Sequence, residues 1–170
     1  MIPFQVREIH HIALVCKDID RTIDFYTNIM GFNLTRVHTL SDGGKHYSFE
    51  MSHGIEIAFF WFPNAPQTAP GIASVKPDAW QTGNITTAHA SMHHLAFTVL
   101  LEALEEYRNQ LETKDIFVTP VLHQKAARFG QQSESDNPSA TASFYFFDPN
   151  GILLEFAANV CESSNLISQI

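Results

Sequence analysis

Histidine is the commonest metal-ligating side chain, and this chain carries nine in 170 residues. Four of them stand in adjacent pairs at matching places. His10-His11-Ile12-Ala13-Leu14 recurs as His93-His94-Leu95-Ala96-Phe97, 83 positions later and close to half the chain away. Both stretches are short apolar runs of strand-forming residues, so their side chains alternate between two faces. His11, Ala13 and Val15 share one face, as do His94, Ala96 and Thr98. The small neighbours of His11 and His94 leave room for a cavity, whereas His10 and His93 lie with the larger side chains expected to pack on helices. A third donor comes late. Glu155 is the one carboxylate in the apolar run Ile152-Leu153-Leu154-Glu155-Phe156-Ala157. A buried carboxylate is costly unless a partner or a cation meets it. Arg128 or Lys125 would be structural partners; an ion shared with two imidazoles is the functional alternative. If the two halves face each other, His11, His94 and Glu155 offer three ligands and leave open positions. That set suits Fe(II), Mn(II) or Zn(II), and as a facial triad it serves Fe(II) oxygen chemistry.

The elements that must position these residues are legible from periodicity and turn chemistry. Residues 9–16 read as a strand. Asp18 or Asp20 can cap a helix over 21–30, with Ile23, Tyr26 and Met30 as its buried stripe, Phe25 and Ile29 beside it, and Gly31 at its stop. Strand-like segments follow at 32–39, 45–51 and 55–62. The pattern restarts with a strand at 92–99, a helix at 101–113 bearing Leu101, Leu104 and Leu111, and strands at 117–122, 143–147 and 152–157. Residues 131–139 read as a polar loop, and Asp148-Pro149-Asn150-Gly151 is a strong turn signal. Each half therefore reads βαβββ, and repetition implies two similar units related by a pseudo-twofold. The expectation is an α+β chain, a single domain over 1–170, with modules at 1–62 and 91–160 and a tail at 161–170. The segment 63–90 holds four prolines and little periodicity, and its Ile72, Val75 and Trp80 favour an ordered cover over a free linker.

Composition excludes several classes. Apolar residues make up 45 % and charged residues 16 %, which suits a packed core and not a disordered chain. The net charge of −8, with no basic run, argues against nucleic acid or an anionic membrane as partner. No apolar stretch approaches the roughly 20 residues of a membrane span. The first residues show no signal-peptide pattern, and Cys16 and Cys161 are expected as reduced thiols, so a cytoplasmic protein is expected.

These residues resemble those of the vicinal oxygen chelate superfamily, also called the glyoxalase / bleomycin resistance / dioxygenase superfamily. The resemblance covers nearly the whole chain. It is carried by His11-Ile12-Ala13-Leu14 with Asp18, by Phe25-Tyr26 and Gly31-Phe32, by His94-Leu95-Ala96-Phe97, and by Phe144-Tyr145-Phe146-Phe147-Asp148-Pro149-Asn150-Gly151 with Glu155. It implies paired βαβββ modules forming a cupped mixed sheet around a metal, with His11, His94 and Glu155 as ligands. It also implies a divalent cofactor, Fe(II) first with Mn, Zn, Ni or Co as alternatives, a small-molecule substrate and a homodimer. In some members a further ligand sits on the fourth strand of the first module. Glu56 is the nearest candidate here, with Phe59 or Trp61 at that place in other alignments.

The shared device of the superfamily is a metal that takes two neighbouring oxygens of a substrate and stabilises oxyanion charge. Three reaction classes follow from the resemblance. An extradiol-type dioxygenase fits three ligands and Tyr145, whose hydroxyl would meet a substrate oxygen; Phe49, Phe59, Trp61, Phe97 and Phe144 are the aromatic residues expected to line it. That pattern carries a histidine before the Tyr145 strand, where this chain has Asp136, Asn137 and Pro138, leaving His123 or His89 as acid–base substitutes. A glyoxalase I-like isomerase or lyase, or an epimerase, acts through an enediolate and needs Glu56 as ligand or base. A non-enzymatic drug-binding protein lacks the metal set, which is retained here.

Overall fold

The computed structural model describes residues 5, 7–52, 54–124 and 140–160. The chain divides into two compact units, Met1–Ala69 with Asp148–Asn150, and Pro70–Phe147 with Gly151–Ile170. Both have the chain order expected from the repeat. In the first, strand β1 (His11–Val15) leads to helix α1 (Ile19–Asp24) and then to β2 (Asn33–Thr39), β3 (Lys45–Ser52) and β4 (Ile55–Trp61). The sheet order is β1-β4-β3-β2, with β1 parallel to β4 and the other pairs antiparallel. The second repeats it with β5 (Leu95–Thr98), a 3₁₀ turn (Leu101–Ala103) continued by a longer helix, β6 (Leu122–Gln124), β7 (Ala140–Phe147) and β8 (Leu153–Val160), ordered β5-β8-β7-β6. Its parallel pair is β5 with β8. The fold is α+β, built of two βαβββ modules.

Asp18 starts α1: its side chain accepts the Arg21 N–H at 3.1 Å. The helix expected over 21–30 then widens into a π turn, Phe25–Ile29, with the Met30 N–H donating to the Phe25 carbonyl at 2.9 Å. The wide turn buries the adjacent rings of Phe25 and Tyr26 together. Gly31 ends it at φ +74°, the left-handed conformation that glycine enters without steric penalty. Tyr26 packs on Phe59 and Phe49, with ring centroids 4.8 and 5.8 Å away.

The turn at Asp148–Asn150 belongs to this first unit and does more than reverse the chain. The Tyr26 hydroxyl donates to Asp148 Oδ2 at 3.2 Å, Asn150 Nδ2 donates to Asp148 and to Thr22 Oγ1, and the Lys17 N–H donates to Asn150 Oδ1. Burial and the neighbouring Asp148 charge push the Tyr26 phenol well up.

In the second unit, α2 (Ala79–Thr82) is a short helix inside the connecting segment, which the sequence leaves without regular structure. The 101–113 helix is the 3₁₀ turn plus α3 (Leu104–Glu112), which buries Leu104 and Leu111. Phe144, Phe146, Phe97 and Tyr107 each meet Phe156 edge-to-face on one side of the sheet. The strand expected over 117–122 is reduced to a bridge between Val118 and Phe146, and pairing resumes only at Leu122. Pro120, with no N–H to give, interrupts it. The loop at 131–139, the tail at 161–170, and Lys125, Arg128 and Cys161 lie outside the described residues. Among the described residues, no helix is long and apolar enough to cross a membrane.

Candidate metal site

Strand alternation and register decide which side chains share a face. In the first sheet His11 stands opposite Glu56, Ser48 opposite Ala58 and Arg36, and His46 opposite Phe60 and His38. These residues lie on the face that β1 leaves open: His11, Ala13 and Val15 are exposed, while Ile12 and Leu14 are half-buried. Glu56 forms an ion pair with the Arg36 guanidinium. The His46 ring lies 4.5 Å from Phe60 and is stacked near His38. Burial, then the positive charges of His38 and Arg36, push His46 below the usual imidazole range.

In the second sheet Glu155 stands opposite Ala96 on β5 and opposite Tyr145 on β7. Glu155 and Tyr145 are 7 % and 2 % exposed. His94, just before β5, places Nε2 3.1 Å from Glu155 Oε2, and its ring meets Tyr145 edge-on. The second unit therefore gathers His94, Glu155 and Tyr145, three of the four residues expected at the site. The fourth, His11, belongs to the first unit. Among the described residues, no group of three or more His, Cys, Asp and Glu forms an ion cage.

Burial pushes the Glu155 carboxyl up, but His94, Tyr145 and Ser143 hold it below the usual carboxylate range. Ser143 Oγ is buried and makes no formed hydrogen bond, so its part is that of a nearby dipole. The histidine contact carries more information. His93 Nε2 lies 3.0 Å from the Ile85 carbonyl, and His93 Nδ1 lies 2.9 Å from His94 Nδ1. A carbonyl only accepts, so His93 must donate from Nε2, which leaves Nδ1 of a neutral ring bare. His94 must then donate from Nδ1. That leaves a neutral His94 with a bare Nε2 facing a carboxylate oxygen, two lone pairs in opposition. The contacts close around one positive charge: a proton on the His93–His94 pair, or a cation held by His94 Nε2 and Glu155 Oε2 together. An ion with bonds of about 2.1 Å in octahedral array spaces neighbouring ligand atoms about 3 Å apart, which the His94–Glu155 separation matches. An imidazole nitrogen and a carboxylate oxygen at this spacing are donors of the kind a divalent metal takes, and the same spacing suits a hydrogen bond between them.

Register also bears on Glu56. His11 and His94 are equivalent in the repeat, so Ala13 is the counterpart of Ala96. Ala96 faces Glu155, but Ala13 faces Ala58. The first-unit position matching Glu155 is thus the buried Ala58, and Glu56 lies one pair away, tied to Arg36.

Several expectations about the surroundings change. Phe49, Phe59 and Trp61 share the face of Ile57, and Phe97 and Phe144 pack with Phe156 on the helix side, because alternation turns each away from the histidine face. Among the described residues, aromatic rings on or beside the histidine faces include Phe60, with Phe62 stacked on it, in the first unit and Tyr145, Phe147 and Trp80 in the second. His123 pairs with Ala142, on the face opposite Tyr145, and His89 is exposed on the connecting segment. His10 is exposed, and His93 bonds the connecting segment, not a helix. Of the three apolar residues expected to fix that segment, Val75 and Trp80 pack inward, whereas Ile72 is exposed. Val75 and Ala79 are fully buried against Tyr145 and Leu153, and Trp80 lies 5.0 Å from the Tyr145 ring.

Comparison with known proteins bears on the family and the fold. The family model of the Glyoxalase/Bleomycin resistance protein/Dioxygenase superfamily matches residues 8–156. The uncharacterized protein YwkD of Bacillus subtilis (strain 168) is 25 % identical over 151 residues, 88 % of this chain and 95 % of YwkD. Among solved structures, a glyoxalase family protein from Enterococcus faecalis is 21 % identical, with TM-score 0.60 over 89 % of this chain and 97 % of that one. The fosfomycin resistance protein FosX from Listeria monocytogenes, solved with Mn(II) and sulfate, is 18 % identical, with TM-score 0.56 over 93 % and 97 %. With the repeat, the sheet topology and the family match in agreement, the chain belongs to the Glyoxalase/Bleomycin resistance protein/Dioxygenase superfamily.

Proposed function

We propose that this protein is a divalent-metal enzyme acting on a small substrate through two neighbouring oxygens, and that extradiol-type oxygenation of a catechol is its reaction. The observation that carries the reading is the His94 Nε2–Glu155 Oε2 pair, 3.1 Å apart with the carboxylate buried. His94 and Glu155 hold the ion, with His11 as third ligand, and Fe(II) is the ion that suits oxygenation. When bound, the metal polarises the two substrate oxygens and stabilises negative charge that develops on them. Tyr145 orients the Glu155 carboxylate, and the half-buried ring of Trp80 beside it gives a flat apolar substrate a wall. A three-ligand set is supported by the register, which puts Ala58 where a second glutamate would stand. FosX, whose structure holds Mn(II), supports a divalent ion in this fold.

A second reading, a glyoxalase I-like isomerase or lyase, is favoured by one fact: Glu56 stands directly opposite His11, a carboxylate beside the third ligand. Here Glu56 would move the proton and Arg36 would hold it in place. The test is metal content and turnover together. Wild-type protein loaded with Fe(II) without air is expected to consume oxygen with a member of a catechol panel, and His94→Ala and Glu155→Ala to lose the ion and the activity. Turnover of a 2-oxoaldehyde–thiol adduct without oxygen uptake, abolished in Glu56→Gln, would overturn oxygenation in favour of isomerisation. The protein is further proposed to act as a homodimer, as the family resemblance implies, and in the cytoplasm, as its cysteine usage suggests.

A further inference from the structure

We infer that His93 is a positioning residue that sets metal affinity, and that it does so by relaying the hold of the connecting segment on His94. The inference rests on the proposed ion site at His94 and Glu155. Three contacts in a row carry it. The Ile85 carbonyl accepts from His93 Nε2 at 3.0 Å, His93 Nδ1 lies 2.9 Å from His94 Nδ1, from which a neutral His93 accepts, and His94 Nε2 faces Glu155 at 3.1 Å. A ligating imidazole binds through one nitrogen, and an acceptor on the other fixes its tautomer and its plane. Here that acceptor is itself an imidazole, and an imidazole bonded only to His94 could turn over and offer N–H instead. The carbonyl of Ile85 prevents this, because it pins the His93 proton on Nε2.

The anchor is firmly placed. Ile85 is packed against the cluster of Val75, Ala79, Tyr145 and Leu153, so its carbonyl is held by the same segment that covers the Tyr145 ring. The first half offers an internal contrast. His10 Nδ1 lies 2.9 Å from His11 Nδ1 with nearly the same ring angle, 84° against 83°. His10 is exposed, however, and among the described residues no carbonyl anchors its second nitrogen. The doubled histidine is therefore a repeated local motif, and the second copy alone is tied into a fixed proton arrangement.

The experiment is a Mn(II) titration followed by the free-ion electron paramagnetic resonance signal, on the full chain, for wild type, His93→Phe, His93→Gln, His94→Ala and Glu155→Gln. His93→Phe keeps a flat ring but has no acceptor, and a roughly 10–100-fold weaker Mn(II) affinity is expected. His93→Gln, whose amide has both an acceptor and a donor, is expected to recover most of it. A His93→Phe affinity within about threefold of wild type, beside loss in His94→Ala, would overturn the positioning role and leave the ion site standing. No loss in His94→Ala or Glu155→Gln would overturn the ion site itself. A second measurement needs no variant. In ¹⁵N-histidine protein loaded with Zn(II), a scalar coupling through the hydrogen bond from His94 Nδ1 to His93 Nδ1 is expected, with the His93 proton on Nε2. A His93 proton found on Nδ1 would overturn the inference even if His93→Phe fails to fold.

Discussion

At the scale of single residues, the site is a problem of placing charge. Glu155 is buried yet held below the usual carboxylate range, because what its neighbours donate outweighs its desolvation. Its folded value lies under its unfolded one, so its contribution to stability is present above the unfolded range and is lost as pH falls through the folded value. Urea midpoints measured from about pH 6 down to about pH 3 should therefore fall more steeply for wild type than for Glu155→Gln. Equal slopes would mean that the carboxylate gains nothing from His94 and Tyr145. Glu56 shows the other use of a carboxylate: its ion pair with the half-exposed Arg36 counts for little in stability, and its importance lies in standing opposite His11.

Among the elements, the entry and exit of the first helix show how little local chemistry sets a boundary. Asp18 supplies the cap and Gly31 the left-handed exit, with the π turn between them. Asp18→Ala should lower stability by about 1 kcal/mol through the lost cap. Gly31→Ala should do so by about 1–2 kcal/mol through backbone strain, since open space surrounds the position. Chemical denaturation measures both, and no change in either would mean that the helix ends are held by packing alone. Asp148 and Asn150 act between elements. They satisfy the Tyr26 hydroxyl, the Thr22 hydroxyl and the Lys17 N–H.

For the whole molecule, the decisive feature is a segment with almost no regular structure. Residues 70–92 belong to the second unit, and their buried Val75 and Ala79 close the Tyr145 face. Val75→Ala, at a fully buried position, should lower stability by about 1–2 kcal/mol in urea denaturation. An unchanged midpoint would show that the segment is a loose cover and not part of that core.

Much of this was readable before folding was considered. Alternation along β1 and β5 put His11 and His94 on their open faces, and the apolar run around Glu155 marked it as a carboxylate in need of a partner. Both are local properties of a strand. The repeat announced βαβββ twice, and each sheet has that order. The sequence could not tell which aromatic rings line the site, because a ring's face depends on a strand's first residue and a shift of one reverses all of them. Nor could it place Ala58, and not Glu56, at the counterpart of Glu155, since register between β1 and β4 is a long-range matter. The Ile85–His93–His94–Glu155 chain lay further out of reach. Its members come from a loop, a strand entrance and a distant strand, and only tertiary packing brings a carbonyl, two imidazoles and a carboxylate within hydrogen-bonding distance.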